Sequence, residues 1–328
     1  MFGVMDISAT AMAVAPLASV SAQSRSPVSC ETQQPLAVRP GLFPGSRPGY
    51  APVVWKAKRV PKSCNVQIRG SSLAKETGID VTEWNKQVRD ERLSILETQA
   101  LNALRKTIEN YQRPAFPCAL ITGDVVILDL LSRVGAFDDE KVKIIFIDTL
   151  HLFPETLTFL AAVEKRYGCK AHIFQAAGMA NKQEYDEKYG SDLFIRDVDE
   201  YDRICKVEPF SRALKTLEVD AMVNGRRRDH GAERAHLEIF EGGDMAKVQP
   251  LAYWEFRDCW DYIEKYQLPY HPLHDQGYPS IGDMQSTLPV PKSQWFEYGG
   301  ERSGRFQGIK NKDGSTKTEC GIHAPTSR

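Results

Sequence analysis

The sequence has no C-x-x-C pair, although its 328 residues include seven cysteines: Cys30, Cys64, Cys118, Cys169, Cys205, Cys259 and Cys320. An odd and scattered set argues against a disulfide scaffold or a structural zinc site and fits a reducing compartment. Nor do the histidines provide a metal site, since His172, His236, His271, His274 and His323 fall at no ligand spacing with the cysteines. Long apolar runs are missing too. Nothing approaches the roughly 18 residues that a membrane-spanning helix needs, so no membrane partner is expected. Acids are scarce only at the start, where the first 70 residues hold eight Lys/Arg against two acids in Ala-, Ser- and Pro-rich sequence. This suits an organelle transit peptide and an unstructured lead-in over 1–70. A plastid (chloroplast stroma) address is favoured over a mitochondrial or cytoplasmic one. The rest is net acidic, which argues against a nucleic-acid partner and for a small-molecule substrate.

What is there alternates. Asp80-Val81-Thr82-Glu83 reads as a helix start, and apolar residues from Trp84 to Tyr111 keep helical spacing until Pro114. Short apolar strands are predicted at 118–121, 142–147, 171–174 and 221–223. Helices are predicted at 125–133, 154–167, 182–189, 209–217 and 254–266. The βαβα order predicts an α/β fold with a parallel sheet flanked by helices, in one domain over about 75–290. After Pro272, closely spaced Gly and Pro predict a loop-like, mobile C-terminal tail over 291–328.

Ligands of open parallel sheets bind beyond the carboxyl ends of the strands, and three loops there are chemically loaded. Thr122-Gly123-Asp124 follows the first strand, and Gly123 reads either as an anion-binding helix start or as a turn glycine. Asp148-Thr149-Leu150-His151 follows the second, and Asp148 can either meet ribose and adenine groups or cap a helix. Asn224-Gly225-Arg226-Arg227-Arg228, with Arg234 beyond it, places guanidinium forks where sulfate or phosphate oxygens could be held, although basic runs are often only solvated. The five histidines named above read as core or surface groups, whereas His151 and His230 gain interest from their loops. Cys320, in a glycine-rich tail near Lys317, is hard to explain by core packing and is a candidate nucleophile through its thiolate.

Together these residues resemble a known family. Phe146-Ile147-Asp148-Thr149, Phe153-Pro154-Glu155-Thr156, Lys206-Val207-Glu208-Pro209, Gly225-Arg226-Arg227-Arg228, Gly277-Tyr278-Pro279-Ser280-Ile281-Gly282-Asp283 and Glu319-Cys320-Gly321-Ile322-His323 occur in order. Over about 114–323 the chain is similar to the phosphoadenylyl sulfate (PAPS) and adenylyl sulfate (APS) reductases. The resemblance implies an adenine nucleotide α-hydrolase-like (Rossmann-like) fold whose tail closes over the nucleotide. It also implies attack by Cys320 on the sulfuryl sulfur, release of sulfite by thioredoxin or a similar dithiol protein, and a homodimer. Lys206, Arg227 and Arg234 are then expected on the sulfate and phosphate oxygens. Arg226, Arg302 and Arg305 are further cations, Asp148 and Thr149 meet the adenosine, Thr122, Gly123 and Gly225 shape the loops, and His323 completes the final motif.

Two departures matter. Cluster-bearing members ligate a four-iron cluster with two cysteine pairs, at positions held here by Tyr201-Asp202 and by Asp283 and Ser286, so neither a cluster nor any other cofactor is expected. The first loop carries Gly123 two positions away from the usual Ser-Phe-Gly order. Lack of a cluster points to PAPS and a plastid address to APS, so the substrate stays open. The chain ends five residues after His323, without the thioredoxin-like domain fused to many plant members, so an external dithiol is expected. Rival readings are an ATP pyrophosphatase, which would want a Ser-Gly-Gly-x-Asp-Ser loop, and a nucleotide-binding redox sensor.

Overall fold

A computed structural model describes residues 79–231, 234–317 and 319–323. The expected lead-in over 1–70 lies outside the described residues, as does the side chain of His323. The first element, α1 (Val81–Asn110), starts where the sequence predicts. Asp80 caps it by accepting from the backbone N–H of Thr82 and Glu83 at 3.0 and 3.1 Å.

A six-stranded sheet follows, built from β1 (Pro114–Pro117), β2 (Lys143–Ile147), β3 (Ala171–Phe174), β4 (Ala221–Val223), β5 (Phe240–Glu241) and β6 (Ala246–Val248). Its order is β3-β2-β1-β4-β6-β5, parallel throughout except for the edge pair β5–β6. Successive strand residues face opposite sides. Phe116, Ile144, Phe146 and Val223 join the main core with α2 (Thr122–Arg133), α3 (Pro154–Tyr167) and α8 (Phe256–Tyr266). Ala115, Ile145 and Met222 pack on the other face with Phe210 and Ala213 of α7 (Glu208–Thr216). Such double burial explains why these strands read as short, unbroken apolar runs.

Between β3 and α7 come α4 (Lys182–Tyr189), α5 (Leu193–Arg196), α6 (Val198–Asp202) and a five-residue π turn at Arg203–Val207. No described helix is long and apolar enough to cross a membrane.

The first strand corrects the expectation of 118–121. The ladder runs over Pro114–Pro117, and the Cys118 N–H still bonds Ile145 O at 2.9 Å. The next amide, Ala119 N–H, is taken by the Asp124 carboxylate at 2.7 Å, and Leu120 turns left-handed at φ 61°. The backbone therefore leaves the sheet there, and α2 begins at Thr122 rather than Val125. The loop after β2 does the same through Leu150, at φ 64°. Left-handed backbone at a branched residue is strained, and here it occurs at both central strand ends.

The tail is irregular, with only isolated bridges and single 3₁₀ turns, and it is docked on the domain. Trp295 and Phe306 are buried, Leu288 N–H bonds Gly304 O, and Phe306 N–H bonds Ser286 O.

Candidate active site

A cavity of about 600 Å³ opens at the carboxyl ends of β1, β2 and β4, between them and the docked tail. Ile145, Ile147, Met222, Phe210, Leu214 and Met245 give it an apolar side. Lys206, Arg226, Arg234, Lys247, Arg302 and Arg305 line it with positive charge, against the carboxylates of Asp124, Asp283, Glu301 and Glu319. An apolar wall beside convergent cations suits an anionic ligand with a flat apolar part.

Cys320 stands on the cavity wall. Among the described residues the other cysteines (Cys118, Cys169, Cys205 and Cys259) are buried, whereas Cys320 is partly exposed. Burial pushes the thiols of Cys205 and Cys259 up to about 12 and that of Cys118 well above its ordinary value, which makes them poor nucleophiles. Cys320 lies close enough to Lys206, Arg234 and Arg305 for a negative charge on its sulfur to stabilise the charged form of each. Burial lowers the pKa of Arg234, and Glu319 offsets part of that effect. Burial also disfavours the charge on Arg305, and repulsion from Arg302 adds to this. Both guanidiniums are thus short of compensating negative charge.

The predicted site residues separate into two groups. Thr149, Lys206, Gly225, Arg226, Arg234, Arg302 and Arg305 line the cavity with Cys320. Thr122, Gly123, Asp148 and Arg227 do not. Thr122 Oγ1 lies 3.2 Å from His274 Nε2 in the core. Gly123 is in the first turn of α2, where a Cβ would come within 3.3 Å of the Arg227 guanidinium, so glycine serves a close approach inside the protein. Asp148 accepts from the Leu150 N–H at 2.9 Å and from Gln175 Nε2 at 2.8 Å, so both oxygens serve to fix its loop.

Arg227 is fully buried and pairs with Asp229 at 3.0 Å and with Glu301. Burial opposes the ionisation of Glu301, but Arg227 and His230 outweigh it and hold its carboxyl well below the usual range. His230 continues the chain. Arg234 Nη1 can only donate to His230 Nδ1, at 2.8 Å, which leaves Nε2–H to donate to Glu301 at 3.1 Å. That neutral tautomer agrees with the lowered pKa of His230, caused by burial and then by Arg227. Arg234 then reaches Glu319 at 2.7 Å, and Glu319 reaches Arg302 at 3.2 Å. His271 and His274 are buried core groups whose pKa burial lowers to about 4.

Asp124, Asn224 and Glu319, which the sequence places in the loaded loops and the final motif without a role, and Lys247, which it does not single out, are all on the cavity wall. Asp124 carried a signal in hindsight, as a carboxylate in the first turn of a helix at a strand end. Burial raises its pKa to about 7, while its carboxylate accepts the Ala119 N–H at 2.7 Å. Lys247 sits on a strand that the local pattern did not announce.

Among the described residues the cavity offers the partly exposed thiol of Cys320 and no set of thiolates such as an iron–sulfur cluster needs. At two of the positions where the resemblance puts cluster cysteines, Asp202 and Asp283 converge on one ammonium, each 2.8 Å from Lys206 Nζ.

Residues 113–289 match the family model described as "Phosphoadenosine phosphosulfate reductase domain". The chain is 38% identical over 266 residues to a phosphoadenosine phosphosulfate reductase of Emericella nidulans, covering 79% of this chain and 81% of that one. It is 34% identical over 231 residues to an adenosine 5'-phosphosulfate reductase of Shouchella clausii, covering 69% and 88%. The crystal structure of a PAPS reductase from Candida auris, as a phosphate complex, is similar with a TM-score of 0.52 and 32% identity, covering 60% of this chain and 97% of that one. The chain belongs to the phosphoadenosine phosphosulfate reductase family, and its sheet and flanking helices have the adenine nucleotide α-hydrolase-like architecture.

Proposed function

We propose that the protein reduces an adenylyl sulfate, APS or PAPS, to sulfite in assimilatory sulfate reduction through a thiosulfonate on Cys320. The observation that carries this reading is the partly exposed Cys320 thiol on the wall of a cavity where Lys206, Arg226, Arg234, Arg302 and Arg305 gather. A thiolate and a sulfuryl group repel each other unless cations neutralise the sulfuryl oxygens as charge develops, and these side chains are on hand to do so. The apolar wall at Ile145, Met222 and Met245 supports a seat for the nucleobase.

The Cys320 thiolate attacks sulfur, an S–S bond forms, and the sulfur–oxygen bond to the nucleotide breaks. AMP, or adenosine 3′,5′-bisphosphate from PAPS, leaves with the bonding pair. An external dithiol such as thioredoxin then attacks the Cys320 sulfur and expels sulfite. Its second thiol resolves the mixed disulfide, so the two electrons come from the dithiol. The scheme needs no cluster, in keeping with the carboxylates at the cluster positions. A plastid setting, supported by the basic and acid-poor first 70 residues, and a homodimer belong to the same reading.

The test is incubation with ³⁵S-labelled APS or PAPS without reductant, followed by mass spectrometry. Wild type is expected to gain one thioredoxin-labile sulfonate on Cys320, which is absent in Cys320→Ser and retained in Cys205→Ser. Folded wild type that gains none would sink the proposal. The rates with the two nucleotides decide the substrate.

A further inference from the structure

The tail wall of the cavity rests on a buried charge network. The π turn at Arg203–Val207 directs Lys206 inward, where its Nζ lies 2.8 Å from both Asp202 Oδ1 and Asp283 Oδ2. The other oxygen of Asp202 faces the tail. It lies 2.9 Å from Lys317 Nζ and accepts the backbone N–H of Gly321 at 3.1 Å. Asp283 is also held by Thr149 Oγ1, at 2.5 Å. Asp202, Asp283, Lys206 and Lys317 are 2%, 2%, 6% and 5% exposed, so two ammonium groups and two carboxylates sit together out of water. Breaking one pair of such a set leaves an uncompensated buried charge.

One carboxylate therefore grips the tail three residues before Cys320 and one residue after it. The fit behind it is close, because a Cβ at Gly321 would come within 3.0 Å of Val207 Cγ2. We infer that Asp202 and Lys317 are positioning residues that clamp both flanks of Cys320 and, by their charge balance, set the electrostatic field at its sulfur. This rests on the reading of Cys320 as the nucleophile.

Charged groups face this part of the chain from every neighbouring element. Lys206 of the π turn, Arg234 of the loop after β4 and Arg305 of the tail interact electrostatically with the Cys320 sulfur. Asp283, Arg302 and Glu319 share the cavity wall with it, and Asp202 and Lys317 hold its flanks through Gly321 N–H and their own ion pair. Removing a carboxylate from the network leaves surplus positive charge beside the thiolate, and removing an ammonium leaves surplus negative charge. The two changes act on Cys320 with opposite signs. A network that only helped the tail to fold would move the thiol the same way in both variants.

The test is the pH profile of Cys320 alkylation by iodoacetamide in the full chain, read by mass spectrometry of the tail peptide. The midpoint is expected to fall in Asp202→Asn and to rise in Lys317→Met, by about one pH unit each way. It should return near the wild-type value in the double variant and stay there in Lys317→Arg. Shifts in the same direction, no shift, or a double variant that does not return overturn the clamp. Lys317 belongs to the tail rather than the sheet, so if Asp202→Asn does not fold, Lys317→Met is read beside limited proteolysis of the tail: an upward shift with the tail still docked supports the clamp, and an upward shift with the tail released overturns it. Failure of wild type to take up sulfonate would instead strike the proposed function, and the alkylation profiles would still stand.

Discussion

Arg227 is sealed inside the domain, whereas Arg226, one residue earlier, lines the cavity. The backbone is extended at Arg227, with φ −132° and ψ 157°, and neighbours on extended backbone point to opposite sides. One side receives a ligand cavity, and the other receives Asp229, Glu301 and the ring of Phe256, 5.6 Å from the guanidinium carbon. A run of arginines is thus two devices, one that lends positive charge to the cavity and one that ties together the structure behind it. The chain from Arg227 through Glu301 and His230 to Arg234 joins them.

The largest expected effect breaks the buried half. Arg227→Gln leaves Glu301 without its main cation, and loss of one partner from a buried pair costs about 3–5 kcal/mol. The pH dependence follows from the depressed carboxyl of Glu301. A lowered folded-state pKa contributes stability that is present above the unfolded value and lost as pH falls through the folded one. With Arg227 gone that pKa rises toward the ordinary range, so acid unfolding should begin at a higher pH. Urea unfolding of wild type and variant at pH 7, and the midpoint of acid unfolding of each below pH 5, check the two statements. Unchanged stability would mean that the pair is not structural.

The open half should respond in the reverse sense. Arg234→Gln is expected to lower kcat/KM by about 10²-fold, the usual scale for removing one preorganised donor from a developing anion. Its thermal midpoint should change far less than that of Arg227→Gln, because Arg234 faces the cavity and its partner Glu319 is partly exposed. Steady-state kinetics beside a melting curve separates the two arginines. Equal losses of stability would erase the distinction between them.

The sequence makes the sheet legible because each central strand is apolar on both faces, and helices such as α3 and α8 legible because each buries one stripe, Thr156, Phe159, Leu160 and Val163 in α3 and Phe256, Cys259, Tyr262 and Ile263 in α8. β3, β4, α3 and α4 stand at their predicted residues. β1 is displaced because a side chain, Asp124, ends the ladder by taking the Ala119 amide, and no local pattern announces that. β5 and β6 are two and three residues long and depend on pairing with each other and with β4, so they leave no periodicity to read. For the site, residue type indicated charge but not direction. Cys320, Arg226, Arg234, Arg302, Arg305 and Lys206 do line one cavity, while Arg227 and Asp148 turn inward because partners elsewhere in the chain capture them. Glu319 stood in the final motif without a role because a carboxylate is not expected among cations that await an anion.

That carboxylate sharpens the comparison with the smallest effect. Glu319 Oε2 lies 2.7 Å from Arg234 and 3.2 Å from Arg302, in a place that a sulfate or phosphate oxygen could also take. Glu301 performs the matching task for Arg227, but there both partners are buried, whereas the Glu319 side chain is 37% exposed. A partly exposed pair contributes only about 0–1 kcal/mol, which an incoming dianion can displace. Glu319→Gln removes the competing charge and keeps the shape. Calorimetry with inorganic sulfate should therefore show binding to the variant a few-fold tighter than to wild type. Weaker binding would show instead that Glu319 orients the two guanidiniums for the ligand, which would make it a counterpart of Glu301 rather than its contrast.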